Sequence, residues 1–328
     1  MRVCVVGAGG IGATLGARLA LAGHEVGLVA RGAHLAALQE QGLRFVDEAA
    51  GAEHRLRLRA SAEPAELGAQ DVVFLALKAH DIGPMLERVA PLLGPHTSVV
   101  PAINGLPWWY FHGVGGANEG RVVRALDPAG TMFAALDPDR LLGCVVHVAA
   151  EVRSPGTVHH TGGRRLILGE PRGGSTARLE RVAALLAQAG FEAEATSDIR
   201  LAVWTKLVGN LSFNPVAALT GYRMDQLCAD EGVVEVIRAS MLEAMAVAEH
   251  LGVRIPMTPE ARIDLARQLG AARISMMQDL EAGRRLELGP IVEAVMELAQ
   301  DAGLAMPVTR HVHALTRARA RSAGIAQP

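Results

Sequence analysis

The sequence of 328 residues contains few aromatic residues, few cysteines and almost no net charge. Aromatic side chains make up 3% of the chain, so the core must be built mainly from Ala, Leu and Val, which favours tightly packed helices and parallel sheet. Three scattered cysteines are too few for a disulfide framework or a metal knuckle. A reducing, cytoplasmic compartment is therefore expected.

The formal net charge is −2, and the chain lacks any run of about eighteen apolar residues that would predict a membrane span. We therefore expect neither a nucleic-acid partner nor a membrane partner. No metal site is expected, because the pairs His159–His160 and His311–His313 lack a matching third ligand. The apolar run at the N-terminus contains glycines and leads to a second strand, which argues against a signal peptide.

Glycine is abundant, with 36 residues, and one cluster of it carries a dinucleotide-binding pattern. The segment GAGGIG follows a short apolar strand, Arg2–Val6, and opens a helix. The first glycine permits a tight turn, the second lets the backbone approach a pyrophosphate, and the third allows close packing of helix and sheet. The alternative is a glycine-rich turn that only allows close packing. The cofactor-binding residues predicted here are Gly7, Ala8, Gly9, Gly10, Ile11 and Gly12.

Arg31 follows the second strand, Glu25–Val29, where an NAD-binding chain usually has an acidic residue. A carboxylate there accepts hydrogen bonds from ribose hydroxyls and repels a 2′-phosphate, whereas an arginine pairs with that phosphate. The residue type therefore predicts NADP(H). A solvated arginine at a strand end is the alternative.

Two more polar residues follow predicted strands of the same sheet. Lys78 ends the segment Asp71–Lys78, and Asn104 lies near the end of Thr97–Gly105. Ligands of doubly wound sheets bind beyond the carboxyl ends of the strands, so both side chains are expected in the crevice, unless they only contact solvent.

Strands and helices alternate in the first part of the chain, and a further strand is predicted over Arg121–Asp127. Antiparallel strands added to the same sheet are predicted over Leu141–Pro171, and helical periodicity dominates after Ser175. We predict a Rossmann-like α/β domain with a doubly wound sheet over residues 1–190. An all-α substrate and catalytic domain is predicted over residues 191–328.

A polar stripe interrupts the apolar helix predicted around residues 199–214. Lys206, Asn210 and Asn214 are spaced four residues apart and share one helix face. The stripe either faces an oxygen-rich ligand, or it consists of a lysine that reaches solvent and two asparagines that cap neighbouring loops. Farther along, Ser275 could begin a helix. Glu287, between two leucines, is either exposed at an edge or buried with a partner.

Together these motifs resemble those of the ketopantoate reductase (2-dehydropantoate 2-reductase) family over nearly the whole chain. The shared features are GxGxxG with an arginine after the second strand, LKA at Leu77–Ala79, NG at Asn104–Gly105, KxxxNxxxN from Lys206, and SxxQDxxxGRxxE from Ser275 to Glu287. The resemblance implies NADPH-dependent reduction of the 2-keto group of ketopantoate to D-pantoate, on the route to pantothenate. It also implies a Rossmann domain joined to a helical domain like that of 6-phosphogluconate dehydrogenase, with the active site in the cleft between them.

The resemblance assigns a role to each candidate residue. It makes Lys206 the general acid, because an ammonium group can stabilise and protonate the oxygen that becomes negative as hydride arrives. Glu287 would accept a hydrogen bond from the substrate hydroxyl. Ser275, Asn210 and Asn214 would bind the carboxylate and nearby oxygens. Asn104 would position the reacting groups next to both substrate and cofactor, and Lys78 would support the cofactor side.

The sequence also departs from the family pattern. Gly289 stands where the family has an aspartate, and Val292–Glu293 replaces an Asn-Gly pair. Four of the eleven aromatic residues fall at Trp108–Phe111, where they either cover a sheet edge or reshape the pocket. Two further hypotheses therefore stay open: a reductase of another branched or aromatic 2-keto acid, and a non-catalytic nucleotide-sensing protein. The apolar terminal helices could bury a homodimer face or only the domain core.

Overall fold

The computed structural model describes residues 1–326, which form two compact units. The first unit contains residues 1–103, 109–121 and 130–199. The second contains residues 104–108 and 122–129 and the chain from residue 200 onward. The predicted boundary at residues 190/191 precedes the last strand of the first unit, and the final two residues of the predicted helical domain, 327–328, lie outside the described residues.

The described part of the first unit contains all ten strands and five helices. The strands are β1 (Arg2–Val6), β2 (Glu25–Val29), β3 (Leu43–Asp47), β4 (Ala52–Leu56), β5 (Arg59–Ser61), β6 (Gln70–Leu75), β7 (Leu93–Pro101), β8 (Gly143–Ser154), β9 (Thr157–Gly169) and β10 (Glu192–Thr196). The helices are α1 (Gly10–Leu21), α2 (Gly32–Gln41), α3 (Ala79–Leu86), α4 (Met132–Ala135) and α5 (Ala177–Gln188).

The first sheet is parallel throughout, with strand order β5-β2-β1-β6-β7. Val3 of β1 pairs with Val26 on one side and Val72 on the other, and four of the five residues of β1 are buried. Buried parallel strands are continuous apolar runs, as the sequence shows. Successive crossovers leave β1 on opposite sides, so its carboxyl end is the switch point where such sheets bind ligands. This confirms the predicted Rossmann-like fold.

The antiparallel segment forms a second sheet, so the prediction that it extends the first sheet was wrong. β8 and β9 pair as a hairpin, and β9 pairs along its other edge with β3 and β10. β4 joins β3, and neither was predicted. Helix α1 packs against β1 and β2 of the first sheet and against β8 and β9 of the second. Alternating residues predict strands but do not say which sheet they join.

The described part of the second unit consists of helices and the loops between them. Its helices are α6 (Ile199–Thr220), α7 (Met224–Ala229), α8 (Glu231–His250), α9 (Pro259–Arg267), α10 (Ser275–Glu281), α11 (Ala294–Asp301) and α12 (Pro307–Ser322), and a π-turn (Gly289–Glu293) leads into α11. Asp230 and Thr258 cap α8 and α9 by accepting backbone N–H bonds from the first turn. The all-α character of this region confirms the prediction.

The strand predicted over Arg121–Asp127 does not form. Both carboxylate oxygens of Glu297 in α11 accept backbone N–H bonds, from Arg124 and Ala125, at 2.9 Å each. These amides are therefore held by a side chain rather than by a strand ladder, and the apolar pattern of the segment reflects packing within the helical unit.

Residues 1–326 lack two features. No helix in this range is both long enough and apolar enough to cross a membrane. No group of three or more His, Cys, Asp and Glu side chains in the same range is arranged to hold a metal ion.

Candidate functional site

The glycine turn at the carboxyl end of β1 is shaped by its close packing. Gly7 has φ +98°, and a Cβ there would lie 2.6 Å from the Ala76 carbonyl oxygen. A Cβ at Gly12 would overlap the Gly7 carbonyl oxygen. The backbone N–H groups of Gly7 and Ala8 both donate to the Val29 carbonyl at the end of β2, at 3.0 and 3.2 Å. The turn is therefore anchored to the second strand, two residues before Arg31.

Gly9 differs from its neighbours because a Cβ built on it meets no atom within 4 Å. It is the N-cap of α1, whose first turn carries no acidic residue and no side-chain cap. The first amides of a helix have no intrahelical acceptor, and they favour an anion. An open side at Gly9, next to the uncapped start of a helix, fits the pyrophosphate of a dinucleotide. Residues 7–12 thus could hold the cofactor.

Arg31 is the N-cap residue of α2, and its side chain is 90% exposed. Its Nη2 lies 4.0 Å from Oδ2 of Asp81 in the first turn of α3. Asp81 is a partner that the sequence analysis missed, and its acidic type two residues after LKA was the available signal. An exposed pair at this distance is weak, so the guanidinium can exchange a carboxylate for a phosphate.

Lys78 and Asn104 occupy corresponding positions after neighbouring strands. Lys78 lies three residues after the end of β6 and is the N-cap residue of α3. Asn104 lies three residues after the end of β7. Both are half-buried, but Lys78 belongs to the α/β unit and Asn104 to the helical unit.

Asn104 is oriented by the docking of its own segment on the π-turn. The Leu106 N–H donates to the Pro290 carbonyl oxygen at 2.8 Å. Gly105 has φ +83°, and any Cβ there would overlap that same carbonyl. The π-turn breaks the regular helical hydrogen-bond pattern, so a carbonyl at its start can accept this bond from outside the helix. The Asn-Gly pair therefore places the amide of Asn104 in one defined orientation.

Within the helical unit, the side-chain amide of Asn104 bridges the ammonium group of Lys206 and the carboxylate of Glu287. Lys206 Nζ donates to Asn104 Oδ1 at 2.8 Å, and Asn104 Nδ2 donates to Glu287 Oε2 at 3.3 Å. Glu287 is 4% exposed, so the alternative of a carboxylate buried with a partner is the correct one. Three segments that are far apart in the sequence thus meet at one short hydrogen-bonded chain.

The two asparagines of α6 do not cap loops. Among the described residues, none forms a hydrogen bond with the side-chain amide of Asn210 or Asn214, although Asn214 is only 6% exposed. Both side-chain amides are therefore available to a ligand that carries oxygen atoms. Ser275 is the first residue of α10 and is exposed, and its hydroxyl likewise makes no hydrogen bond with a described residue. The binding roles of these three residues stay predictions.

The departure at Gly289 has a packing explanation. A Cβ at Gly289 would lie 3.1 Å from the Ala125 carbonyl oxygen, and Ala125 is held by Glu297. The same Cβ would lie 3.9 Å from Oε2 of Glu293, whose Oε1 accepts a hydrogen bond from His313 Nε2 at 2.8 Å. That hydrogen bond holds the pKa of Glu293 below its usual range. A carboxylate from the next turn therefore lies beside the position where the family has an aspartate.

The aromatic segment is part of the core. Trp109, Tyr110 and Phe111 are each at most 2% exposed and belong to the α/β unit. Gly143 in β8 leaves room for the Trp109 ring, since a Cβ there would lie 2.7 Å from the ring. Tyr110 packs edge-on against Phe111 at 4.9 Å. The Trp109 ring thus covers β-structure, which matches the first of the two alternatives, while Tyr110 and Phe111 are buried beside it in the sequence.

Family models match both halves of the chain. The model described as Ketopantoate reductase PanE/ApbA matches residues 3–173, and the model described as Ketopantoate reductase PanE/ApbA C terminal matches residues 198–320. A 2-dehydropantoate 2-reductase of Mesorhizobium japonicum is 48% identical over 97% of each chain, and one of Archaeoglobus fulgidus is 30% identical over 96% of this chain and 97% of its own.

Comparison with solved structures points to the same family. A Ralstonia solanacearum protein described as a ketopantoate reductase aligns with a TM-score of 0.93 and 43% identity over 99% of both chains. A D-mandelate dehydrogenase shares the fold, with a TM-score of 0.85 and 20% identity over 99% of this chain and 100% of its own. The glycine turn, the Lys206–Asn104–Glu287 chain and these matches lead to one conclusion: the protein belongs to the ketopantoate reductase family of nicotinamide-dependent oxidoreductases.

Proposed function

We propose that this protein reduces the 2-keto group of 2-dehydropantoate to D-pantoate with NADPH, as a step toward pantothenate. The observation that carries the proposal is the bridge from Lys206 through Asn104 to Glu287. It supplies a proton donor, an orienting amide and a buried acceptor in one unit. The names of the relatives, 48% and 30% identical, support the substrate.

A nicotinamide dinucleotide held at residues 7–12 would supply the hydride for the keto carbon. The negative charge of the reduced group would then lie on the keto oxygen. Lys206 stabilises that charge and donates a proton from Nζ to the oxygen, which completes the hydroxyl group. Asn104 holds the ammonium group in place through its Oδ1, at 2.8 Å. Lys206 is left as a neutral amine, and it regains a proton from solvent before the next turnover.

Glu287 and the two asparagines account for the remaining polar groups of the substrate. The Glu287 carboxylate accepts a hydrogen bond from the substrate hydroxyl. Asn210 and Asn214, whose amides have no partner among the described residues, donate to the carboxylate together with Ser275. Each assignment matches a group of the ligand with a protein group of complementary hydrogen-bonding type.

The selection of NADPH over NADH rests on Arg31. Its exposed guanidinium lies two residues past β2, and β2 accepts the amides of the glycine turn. A 2′-phosphate on the adenosine ribose offers the bidentate acceptor that a guanidinium prefers. Lys78 follows β6, the strand that pairs with β1 on the side away from β2. It adds a second cation on the cofactor side.

Stopped-flow oxidation of NADPH tests the function directly. We expect single-turnover loss of NADPH absorbance with 2-dehydropantoate, and a kcat/KM that exceeds the values for other branched and aromatic 2-keto acids. A panel in which another 2-keto acid is preferred would move the protein to that substrate. Tight NADPH binding without oxidation by any acid would leave only a nucleotide-sensing role.

A further inference from the structure

A guanidinium group rests on the helix that carries Lys206. Gly209 lies within α6, and a Cβ built there would lie 2.5 Å from Nη2, 2.9 Å from Nε and 3.0 Å from Cζ of Arg262 in α9. Any other residue at position 209 would displace the guanidinium. A glycine within a helix is unfavourable relative to alanine, so its presence needs a reason of this kind.

Arg262 has no charged partner to compensate its burial. No hydrogen bond or ion pair joins its guanidinium to another residue within 1–326. Its side chain is half-buried, and burial lowers the pKa of the guanidinium. Within residues 1–326, the titratable group that interacts with this guanidinium is the Cys228 thiol. Burial raises the pKa of the thiol, so the thiol stays neutral. A cation taken from water without a partner is unfavourable until an anion binds.

The position of this cation relates it to the catalytic helix. Gly209 is three residues after Lys206 and one before Asn210, so it lies about 4.5 Å along the helix axis from Lys206 and about 60° around it. The three residues therefore belong to one turn of α6. The carboxylate of a 2-keto acid lies within about 3 Å of the keto oxygen.

We propose that Arg262, seated on Gly209, is a specificity-determining residue that binds a carboxylate of the acid substrate next to Lys206. This inference rests on the proposed reduction of a 2-keto acid. The carboxylate is the group adjacent to the keto carbon, the single acidic group of 2-dehydropantoate. Arg262 supplies the full positive charge that the neutral amides of Asn210 and Asn214 lack.

The decisive variant is Arg262→Met, with Arg267→Met as its matched control. Arg267 lies on the same helix, is exposed, and pairs with Asp264. For Arg262→Met we expect the KM for 2-dehydropantoate to rise about a hundredfold, with kcat within about threefold and NADPH affinity unchanged. Arg262→Lys should recover part of the loss. Arg267→Met should leave the KM unchanged.

Thermal unfolding separates binding from a structural role. If Arg262 serves binding, Arg262→Met removes a half-buried charge without an ion-pair partner, and the melting temperature should stay equal or rise. If Arg262 has a structural role, the melting temperature of Arg262→Met should fall. Gly209→Ala should raise the KM in the same way, because the methyl group of the alanine displaces the Arg262 guanidinium. Alanine also favours the helix, so this variant should not destabilise α6. An unchanged KM in both Arg262→Met and Gly209→Ala overturns the proposal.

Two further measurements complete the test. A dicarboxylic 2-keto acid, assayed beside 2-dehydropantoate, tests which group is bound. An equal rise in KM for both acids in Arg262→Met supports the carboxylate next to the keto carbon, and a rise for the dicarboxylate alone overturns the proposal. If the wild type reduces no 2-keto acid, the proposed reaction is wrong. The carboxylate site at Arg262 is then tested separately, by measuring the dissociation constant of oxamate in the presence of NADP. Equal oxamate binding by wild type and Arg262→Met overturns the carboxylate site.

Discussion

Lys78 and Asn104 each lie three residues past the end of a strand, and β6 and β7 are parallel neighbours. Lys78 stays with the α/β unit, next to the glycine turn in the chain topology, whereas Asn104 belongs to the helical unit and contacts Lys206 and Glu287. The two residues differ in the segments that follow them in the sequence. Lys78 caps a helix, and Asn104 is followed by a glycine that docks on the Pro290 carbonyl.

This pair teaches that an equivalent place at a sheet edge does not determine which chemistry a residue serves. The predicted pyrophosphate-binding residues, Gly7–Gly12, form one contiguous turn whose shape follows from local sterics. The Lys206–Asn104–Glu287 chain requires three distant segments to be positioned together. Variants on either side of this comparison should therefore fail in different ways.

The largest effect is expected for Lys206→Ala in the helical unit. Loss of the proton donor should lower kcat by about a thousandfold or more, because no other group takes its place at Asn104 Oδ1. NADPH affinity, measured by fluorescence titration, should stay unchanged, since the glycine turn and Arg31 lie in the other unit. Near-normal turnover would remove Lys206 from the mechanism.

Glycine variants in the turn should separate fold from cofactor binding. Gly12→Ala places a methyl group on the Gly7 carbonyl oxygen and should lower the free energy of unfolding by about 3 kcal/mol. Gly9→Ala meets no protein atom and should cost about 1 kcal/mol or less, as a weaker N-cap, yet it should raise the NADPH dissociation constant at least about tenfold. Urea unfolding and fluorescence titration measure the two quantities. An unchanged dissociation constant for Gly9→Ala would exclude a pyrophosphate at this turn.

Arg31→Ala tests cofactor selection. Loss of the guanidinium should raise the NADPH dissociation constant about thirtyfold, while NADH binding should change less than about twofold, because NADH has no 2′-phosphate. Titration of both cofactors against both proteins gives the comparison. A parallel change for the two cofactors would show that Arg31 contacts a shared part of the dinucleotide.

Glu293→Gln should change stability but not cofactor binding. The hydrogen bond from His313 lowers the pKa of Glu293, with Arg317 and Arg285 nearby, so the native state favours the charged carboxylate. Its stabilisation is present above the unfolded pKa of about 4.3 and is lost as the pH falls through the lower native pKa. We expect a loss of about 1 kcal/mol at pH 7 that vanishes in acid. A gap in melting temperature that is independent of pH would contradict the charged pairing.

The smallest effect is expected for Asp81→Asn. Its carboxylate lies 4.0 Å from the guanidinium of Arg31, and both side chains are exposed. Neutralising it should strengthen NADPH binding by about two- to threefold at low salt and by less at high salt. The direction is opposite to that of Arg31→Ala. Weaker NADPH binding would instead make Asp81 a direct ligand of the cofactor.

The α/β fold, the cofactor turn and the helical second unit were predictable from the sequence. A glycine at a positive φ, a buried apolar strand and a 3.6-residue period are local requirements that residue types reveal directly. The sequence also supplied the candidate residues Lys206, Asn104 and Glu287. Whether Glu287 was exposed or paired was undecided, because its partner lies 183 residues earlier in the chain.

Only the tertiary structure decided the remaining points. The second sheet, the loop at residues 122–127 and the packing at Gly289 depend on which distant segments meet, and periodicity carries no information on that. The same holds for Arg262, which is an ordinary arginine on a polar helix in the sequence. In the fold it is a half-buried cation on Gly209, without an ion-pair partner among residues 1–326. Local sterics and hydrophobic patterning thus determine the elements and the glycine turn, whereas long-range packing determines which polar groups come together in the candidate site.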